Sequence, residues 1–232
     1  MATNGKKYEK AREALSGADN LSVKAALSKV KELAYAKFDE SVDVHVNLGI
    51  DPSKPDQSVK GSVVLPHGTG RKVKVLVFAK GEYADKAQKA GADYVGTNDL
   101  VEKITAGWLD FDYVVATPDM MGPVGKLAKI LGPKGLLPNV KAGTVTFEVE
   151  TIVSELKSGR AFFKSNKNAL VNFSIGKVSF DANKLYDNFA AFIKALLASK
   201  PASAKGSYFK KVTISSTMGP GVQVSLDEVL KV

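Results

Sequence analysis

The most regular stretch of the chain is residues 42–48, with valine or leucine at every second position and Asp43, His45 and Asn47 between them. A period of two places the apolar set on one side, so this segment is predicted as a strand with one wet face. Ahead of it, Val23, Ala26, Leu27, Val30, Leu33 and Ala34 recur at steps of three and four. That spacing predicts a helix with one buried face, capped by Ser22 and running to about Ala36. Residues 1–20 are basic and helix-prone, with Gly17 as the stop. Gly49 and Asp51-Pro52 end the strand, a polar loop covers 53–60, and 62–65 reads as a short strand.

After Pro66-His67-Gly68-Thr69-Gly70 the grammar changes. Residues 73–79 form an apolar run broken only by Lys74, as in a strand covered on both faces. Helices are predicted at 82–90, 98–106 and 121–131, with Gly91 and Gly107 as stops. Short strands fall between them at 93–95 and 111–116, and Gly132-Pro133-Lys134-Gly135-Leu136-Leu137-Pro138 forms a rigid loop. Strands alternating with helices predict a small parallel α/β domain.

A helix at 152–157 closes at Ser158-Gly159, and the pattern then reverts to half-wet strands at 161–164 and 170–175. Asp181 opens a long helix to about Ser199, with Leu185, Phe189, Phe192, Ile193, Leu196 and Leu197 on one face. A linker at 201–206 leads to a strand at 208–215, the turn Ser216-Thr217-Met218-Gly219-Pro220, and a last strand at 222–224. Neither end of the chain has enough strands for a stable sheet alone. Together they predict two hairpin-like pairs and two packed helices. The expected fold class is α/β: a discontinuous two-layer α+β domain of residues 1–67 and 160–232, with an α/β domain of residues 68–159 inserted through Gly-rich joints that act as a hinge.

Charge sharpens that division. The net charge is +9 and the pI about 9.4, which favours polyanionic partners. Residues 68–159 hold 12 basic and 11 acidic side chains, so nearly all the excess belongs to the two ends. No cysteine is present, and His45 and His67 are the only histidines. Disulfides, thiolate metal sites and histidine-rich metal sites are therefore not expected, nor is any cofactor. No apolar run approaches the ~18 residues of a membrane span, and the charged first twenty residues do not read as a secretory leader. Catalytic patterns fail in detail. Gly122-Pro123-Val124-Gly125-Lys126 resembles a phosphate loop, but Met120 stands where its first glycine belongs and Leu127 where its hydroxyl belongs. Gly68-Thr69-Gly70 precedes its strand instead of following one. His45 lies on the wet strand face with no evident Ser or Asp partner. The chain is not expected to be an enzyme.

Two places carry chemistry suited to RNA. Ser216-Thr217-Met218-Gly219 sets hydroxyls and bare backbone at a strand end, groups suited to ribose hydroxyls and phosphates; alternatively it is a plain turn with Met218 filling the core. Lys37-Phe38 lies where a helix hands over to a strand, where Phe38 either stacks on a base or anchors the core. Arg160, Lys164 and Lys167 gather near the turn at 165–168, which is either an RNA contact or a solvated hairpin tip.

Several segments together are similar to one family. These are Ala36-Lys37-Phe38-Asp39-Glu40-Ser41-Val42, Leu48-Gly49-Ile50-Asp51-Pro52, Leu65-Pro66-His67-Gly68, Gly91-Ala92-Asp93-Tyr94-Val95, Ala116-Thr117-Pro118-Asp119, the Gly132–Pro138 loop, Lys141-Ala142-Gly143-Thr144-Val145 and Ser216-Thr217-Met218-Gly219. The chain resembles the bacterial L-one family of large-subunit ribosomal proteins from end to end. The resemblance implies a discontinuous RNA-binding domain with a Rossmann-like three-layer insert, a cytoplasmic protein of the large subunit, monomeric when free and without a membrane partner. It implies binding to the stalk of large-subunit ribosomal RNA, help in releasing deacylated tRNA from the exit site, and repression of its own operon through the mRNA. The RNA contacts it implies are Lys37, Phe38, Ser41, Lys164, Lys167, Ser216, Thr217, Met218 and Gly219. The tRNA-facing residues would be Lys54, Lys60, Lys129 and Lys134. Relatives tend to have Gly and His where this chain has Ala169 and Asn172. In the expected mechanism Thr217 and nearby main-chain groups bond an irregular RNA surface, Phe38 stacks, and lysines add salt-dependent affinity. The alternative is a regulatory nucleic-acid-binding protein outside the ribosome.

Overall fold

The computed structural model describes residues 5–15, 20–140, 143–204 and 206–231. Gly17, Lys141, Ala142 and Lys205, named above as a helix stop and as parts of a motif and a linker, lie outside the described residues. The chain forms two compact units, one of residues 1–70 and 161–232, the other of residues 71–160.

The first unit is organised around β1 (Ser41–Leu48), whose Val42, Val44, Val46 and Leu48 are fully buried while the residues between them stay half exposed. β1 pairs antiparallel with β7 (Leu170–Lys177) on one side and β8 (Phe209–Ser216) on the other. With β9 (Val222–Val224) outside β8, the sheet order is β7-β1-β8-β9. The expectation of two hairpin-like pairs is thus corrected. The early strand β2 (Lys60–Val64) pairs with β6 (Arg160–Lys164), and β1 occupies the middle of a sheet whose other strands all come from the end of the chain. Both backbone edges of β1 are thus paired, and its apolar set lies on the one face turned to the core.

One face of this sheet is covered by α2 (Val23–Leu33) and α8 (Ala182–Ala198). Ser22 caps α2 by accepting the Ala25 N–H, and Asp181 opens α8. Leu185, Phe189, Phe192, Ile193 and Leu196 of α8 are fully buried. Phe192 stacks on Phe173 at 4.4 Å between centroids, and Phe163 meets both rings edge-on. α2 ends three residues before the predicted Ala36. Ala34 is already extended, and the Ala36 N–H is taken by Glu40. A basic helix α1 (Lys6–Glu13) precedes α2, and a final turn of helix, α9 (Leu226–Val229), is too short to show a period in the sequence. Asn188, fully buried on α8, accepts the His67 N–H and donates to the carbonyls of Gly68 and Ile175. It anchors the segment where the first unit ends.

The second unit is a three-stranded parallel sheet of order β4-β3-β5: β3 (Val75–Phe78), β4 (Tyr94–Gly96) and β5 (Tyr113–Ala116). All four residues of β3 are buried, as the unbroken apolar run demands. α4 (Asn98–Thr105) packs with Leu76 and Phe78 on one face, while α3 (Glu82–Lys89) and α7 (Val149–Ser158) pack on each other and on the strands. The single helix predicted at 121–131 is two short ones, α5 (Met121–Lys126) and α6 (Ala128–Leu131). Gly122, Pro123 and Gly125 leave α5 with little intrinsic helicity. Among the described residues, no helix is long and apolar enough to cross a membrane.

Candidate nucleic-acid interface

The end of the sheet where β1 begins is tied shut by side chains. Val42 pairs with Ser216, and one residue further on the Thr217 hydroxyl oxygen accepts the Ser41 N–H at 2.9 Å and donates to the Ser41 carbonyl at 3.3 Å. The Ser41 hydroxyl accepts a bond from the Lys177 ammonium at 3.0 Å, and the same ammonium donates to the Asp39 carbonyl at 3.3 Å. The Asp39 carboxylate accepts from the Ser179 N–H and hydroxyl. Tyr35 donates its hydroxyl to the Met218 carbonyl at 2.7 Å.

At the centre of this rim is Glu40, 1% exposed. Its two oxygens accept the Ala36 N–H at 2.8 Å and the Met218 N–H at 3.0 Å. Burial acts to raise its pKa. The bonds from the Met218 N–H, the Ser216 hydroxyl and the Ala36 and Tyr35 N–H groups outweigh burial and hold it below the usual carboxylate value. One buried anion therefore gathers the helix exit at 35–36 and the turn at 216–218. Gly219 completes the turn by donating its N–H to the Ser216 hydroxyl. A Cβ at Gly219 would lie 2.5 Å from that oxygen, so any other residue there would displace the Ser216 hydroxyl.

What remains outside is apolar and cationic. Phe38 is 57% exposed and Met218 49% exposed, so Phe38 does not anchor the core and Met218 does not fill it. Lys37 is exposed beside Phe38. Ser216, expected as a contact, is 4% exposed and turned inward, so it holds the turn instead of presenting its side chain. The Thr217 hydroxyl, expected to be offered outward, is engaged by the Ser41 backbone.

The structure does not bring Lys164 and Lys167 to this rim. The turn after β6 meets the opposite end of β1, where the Leu48 N–H bonds the Ala169 carbonyl. Eight residues of strand separate the two ends by about 24 Å. The Asn166 carboxamide accepts from the N–H groups of Asn168 and Leu170, leaving Lys167 exposed at the tip. Ser165 and Val59 exchange bonds, which sets Lys60 close to Lys164. Lys54, in the turn after β1, lies 3.8 Å from the Asp51 carboxylate. In the second unit Lys129 on α6 and Lys134 in the turn after it are exposed.

Between the two ends runs the open face of the sheet. His45 sits there with partners after all: Nδ1 is 3.0 Å from the Asn172 carboxamide oxygen and Nε2 3.2 Å from the Ser215 hydroxyl. Both lie on other strands, which hid them from the local sequence pattern. Glu40 and Lys177 were missed for the same reason. The one visible sign of Glu40 is an acid placed directly before a strand in a basic region.

Among the described residues, no group of three His, Cys, Asp or Glu side chains is placed to hold a metal ion. Against models of protein families, residues 30–220 match the ribosomal protein L1p/L10e family. This is a family of RNA-binding structural proteins, not of enzymes, and its members are large-subunit ribosomal proteins that bind ribosomal RNA. The matched span takes in β1, the whole of the second unit and the turn at 216–219. With the rim and most of the sequence inside the match, this chain belongs to the ribosomal protein L1p/L10e family.

Proposed function

We propose that the protein grips the stalk region of large-subunit ribosomal RNA with the Glu40-held rim, that it helps deacylated tRNA leave the exit site, and that it represses its own operon through an mRNA site of similar shape. The observation that carries this reading is the pair of large apolar side chains, Phe38 and Met218, left exposed on a rim whose buried carboxylate and hydroxyls are bonded inward. Exposed rings and thioethers on a fixed backbone suit unstacked bases, and the cations Lys37 and Lys177 suit phosphate. In this reading the unit made by both chain ends is the RNA-binding domain, and the inserted domain presents Lys129 and Lys134 to tRNA.

Footprinting the protein on total cellular RNA tests it. The expected result is protection of a stalk segment of the large-subunit RNA and of one messenger leader carrying the protein's own gene. Co-sedimentation with large subunits in low-magnesium gradients is expected as well. Protection of a messenger without co-sedimentation would favour the regulatory protein outside the ribosome. Protection confined to other RNA would overturn the stalk assignment.

A further inference from the structure

In the second unit, α4 and the outer strand β4 frame a groove of about 430 Å³ lined by Tyr94, Leu100, Lys103, Ala106 and Trp108. Trp108 is the only tryptophan of the chain, and the backbone sets its place. Beyond the last turn of α4, Gly107 takes φ 102°. The Gly107 N–H bonds the Ile104 carbonyl and the Trp108 N–H the Lys103 carbonyl, both at 3.0 Å. This pair of bonds ends a helix by folding the residue after the glycine back onto the last turn, which brings Trp108 to Lys103. Tyr94 meets the Trp108 ring edge-on at 4.7 Å between centroids, and Phe111 holds it at 5.5 Å. One wall of the groove is therefore fixed before anything binds. Lys103 is exposed and makes no ion pair among the described residues, whereas Lys74 is spent on Asp110 at 2.6 Å. Neither the Tyr94 hydroxyl nor the Trp108 indole N–H has a hydrogen-bond partner among the described residues, and neither is sealed in the interior.

We infer that this groove is a separate RNA contact: one unstacked base lies against Trp108, Tyr94 and Leu100, and the adjoining phosphate is held by Lys103. The inference rests on the RNA-binding reading above and adds to it a site in the second unit. Aromatic and aliphatic walls with one cation at the side are the composition that takes a flat base and its phosphate. Charge decides between RNA and a free nucleotide. α4 presents its C-terminal end here, where unpaired carbonyls carry partial negative charge. Asp99 and Glu102 stand on the same helix. Those groups oppose the several charges of a nucleoside polyphosphate, while one lysine balances the single charge of an RNA phosphodiester.

The lone tryptophan lets the groove report on itself. The test titrates the full chain with a large-subunit ribosomal RNA transcript and with tRNA, reading Trp108 emission, its quenching by acrylamide and the binding constant. With at least one of the two RNAs, a change in emission and a loss of acrylamide quenching are expected, saturating together with binding. Ala106→Phe, at the exposed cap of α4, fills the groove and is expected to weaken binding of that RNA at least about fivefold. Its thermal unfolding is expected to match wild type; should it melt early, Lys103→Gln carries the decision. Lys103→Gln is expected to lower the salt slope by about 0.7–0.9. RNA binding that leaves Trp108 emission and quenching unchanged, or that ignores the substitutions, overturns the inference and leaves the RNA-binding reading standing. An equal emission change with AMP or ATP gives the groove to a free nucleotide. One that follows protein concentration without RNA gives it to a second copy, and either result overturns RNA as the occupant. Absence of RNA binding by wild type overturns both readings.

Discussion

The two ends of β1 both carry residues that the sequence pointed to, and the structure treats them in opposite ways. At the Ser41 end the backbone is held by a buried carboxylate, two hydroxyls and an ammonium, and the outward groups are a ring and a thioether. At the Leu48 end the outward groups are lysines on turns stabilised by their own Asn166 and Asp51. If the proposed RNA contacts hold, the difference teaches that they are of two kinds. Those at the fixed end gain from a shape set before RNA arrives, and so suit selection among RNA surfaces. Those at the lysine end act through charge, which is long in reach and indifferent to sequence.

The largest effect is expected at Glu40. Glu40→Ala leaves the N–H groups of Ala36 and Met218 without acceptors in a buried place. It is expected to cost about 2–4 kcal/mol of stability by denaturant unfolding and to lower RNA affinity more than tenfold. Glu40→Gln supplies one acceptor oxygen and falls between. The depressed pKa of Glu40 means that its contribution is complete above the unfolded value of about 4.3 and disappears as pH falls through the folded value. The stability gap between wild type and Glu40→Gln is therefore expected to be constant above the unfolded value and to narrow only at more acid pH, as the folded value is crossed.

Phe38→Ala separates contact from scaffold. An exposed ring contributes little to folding, so stability is expected to stay within about 0.5 kcal/mol while RNA binding weakens by about 1–3 kcal/mol. A large loss of stability would show that Phe38 serves the fold. Thr217→Ala opens the last bond between the two strands and is expected to cost about 1 kcal/mol of stability, with affinity falling in step. If only affinity falls, the hydroxyl is offered to RNA instead of to Ser41. Lys167→Ala is expected to weaken binding of all RNAs alike and to reduce the salt slope by about 0.7–0.9. A change in preference between RNAs would erase the contrast between the two ends. Smallest of all, Ala169 takes φ 58°, a conformation that favours glycine. Ala169→Gly is expected to raise stability by about 0.5–1 kcal/mol without altering RNA binding.

Periodicity made β1, α2 and α8 legible, because in each a single apolar face is repeated without interruption. The buried β3 was legible from its run of unbroken apolar residues. What pairs with β1 was not, since its partners lie well over a hundred residues further on and nothing local encodes that register. The candidate site divided in the same way. Lys37, Phe38 and Met218 stand out as residue types, whereas Glu40 in Lys37-Phe38-Asp39-Glu40-Ser41 looks like one more solvated acid. Only the fold brings the Met218 N–H to it. The inward turn of the Ser216 hydroxyl was not legible, because a hydroxyl at a strand end looks the same whether it faces outward or inward.

The central place of β1 also sets an order of events during synthesis. Its hydrogen-bonding edges stay vacant until β7 and then β8 have been made, by which time all of residues 71–160 have emerged and can already have folded. The first strand of the chain thus gains both partners only after the second unit has been made. A nascent or truncated chain ending before Thr217 lacks the hydrogen bonds that Thr217 and Met218 make with Ser41 and Glu40.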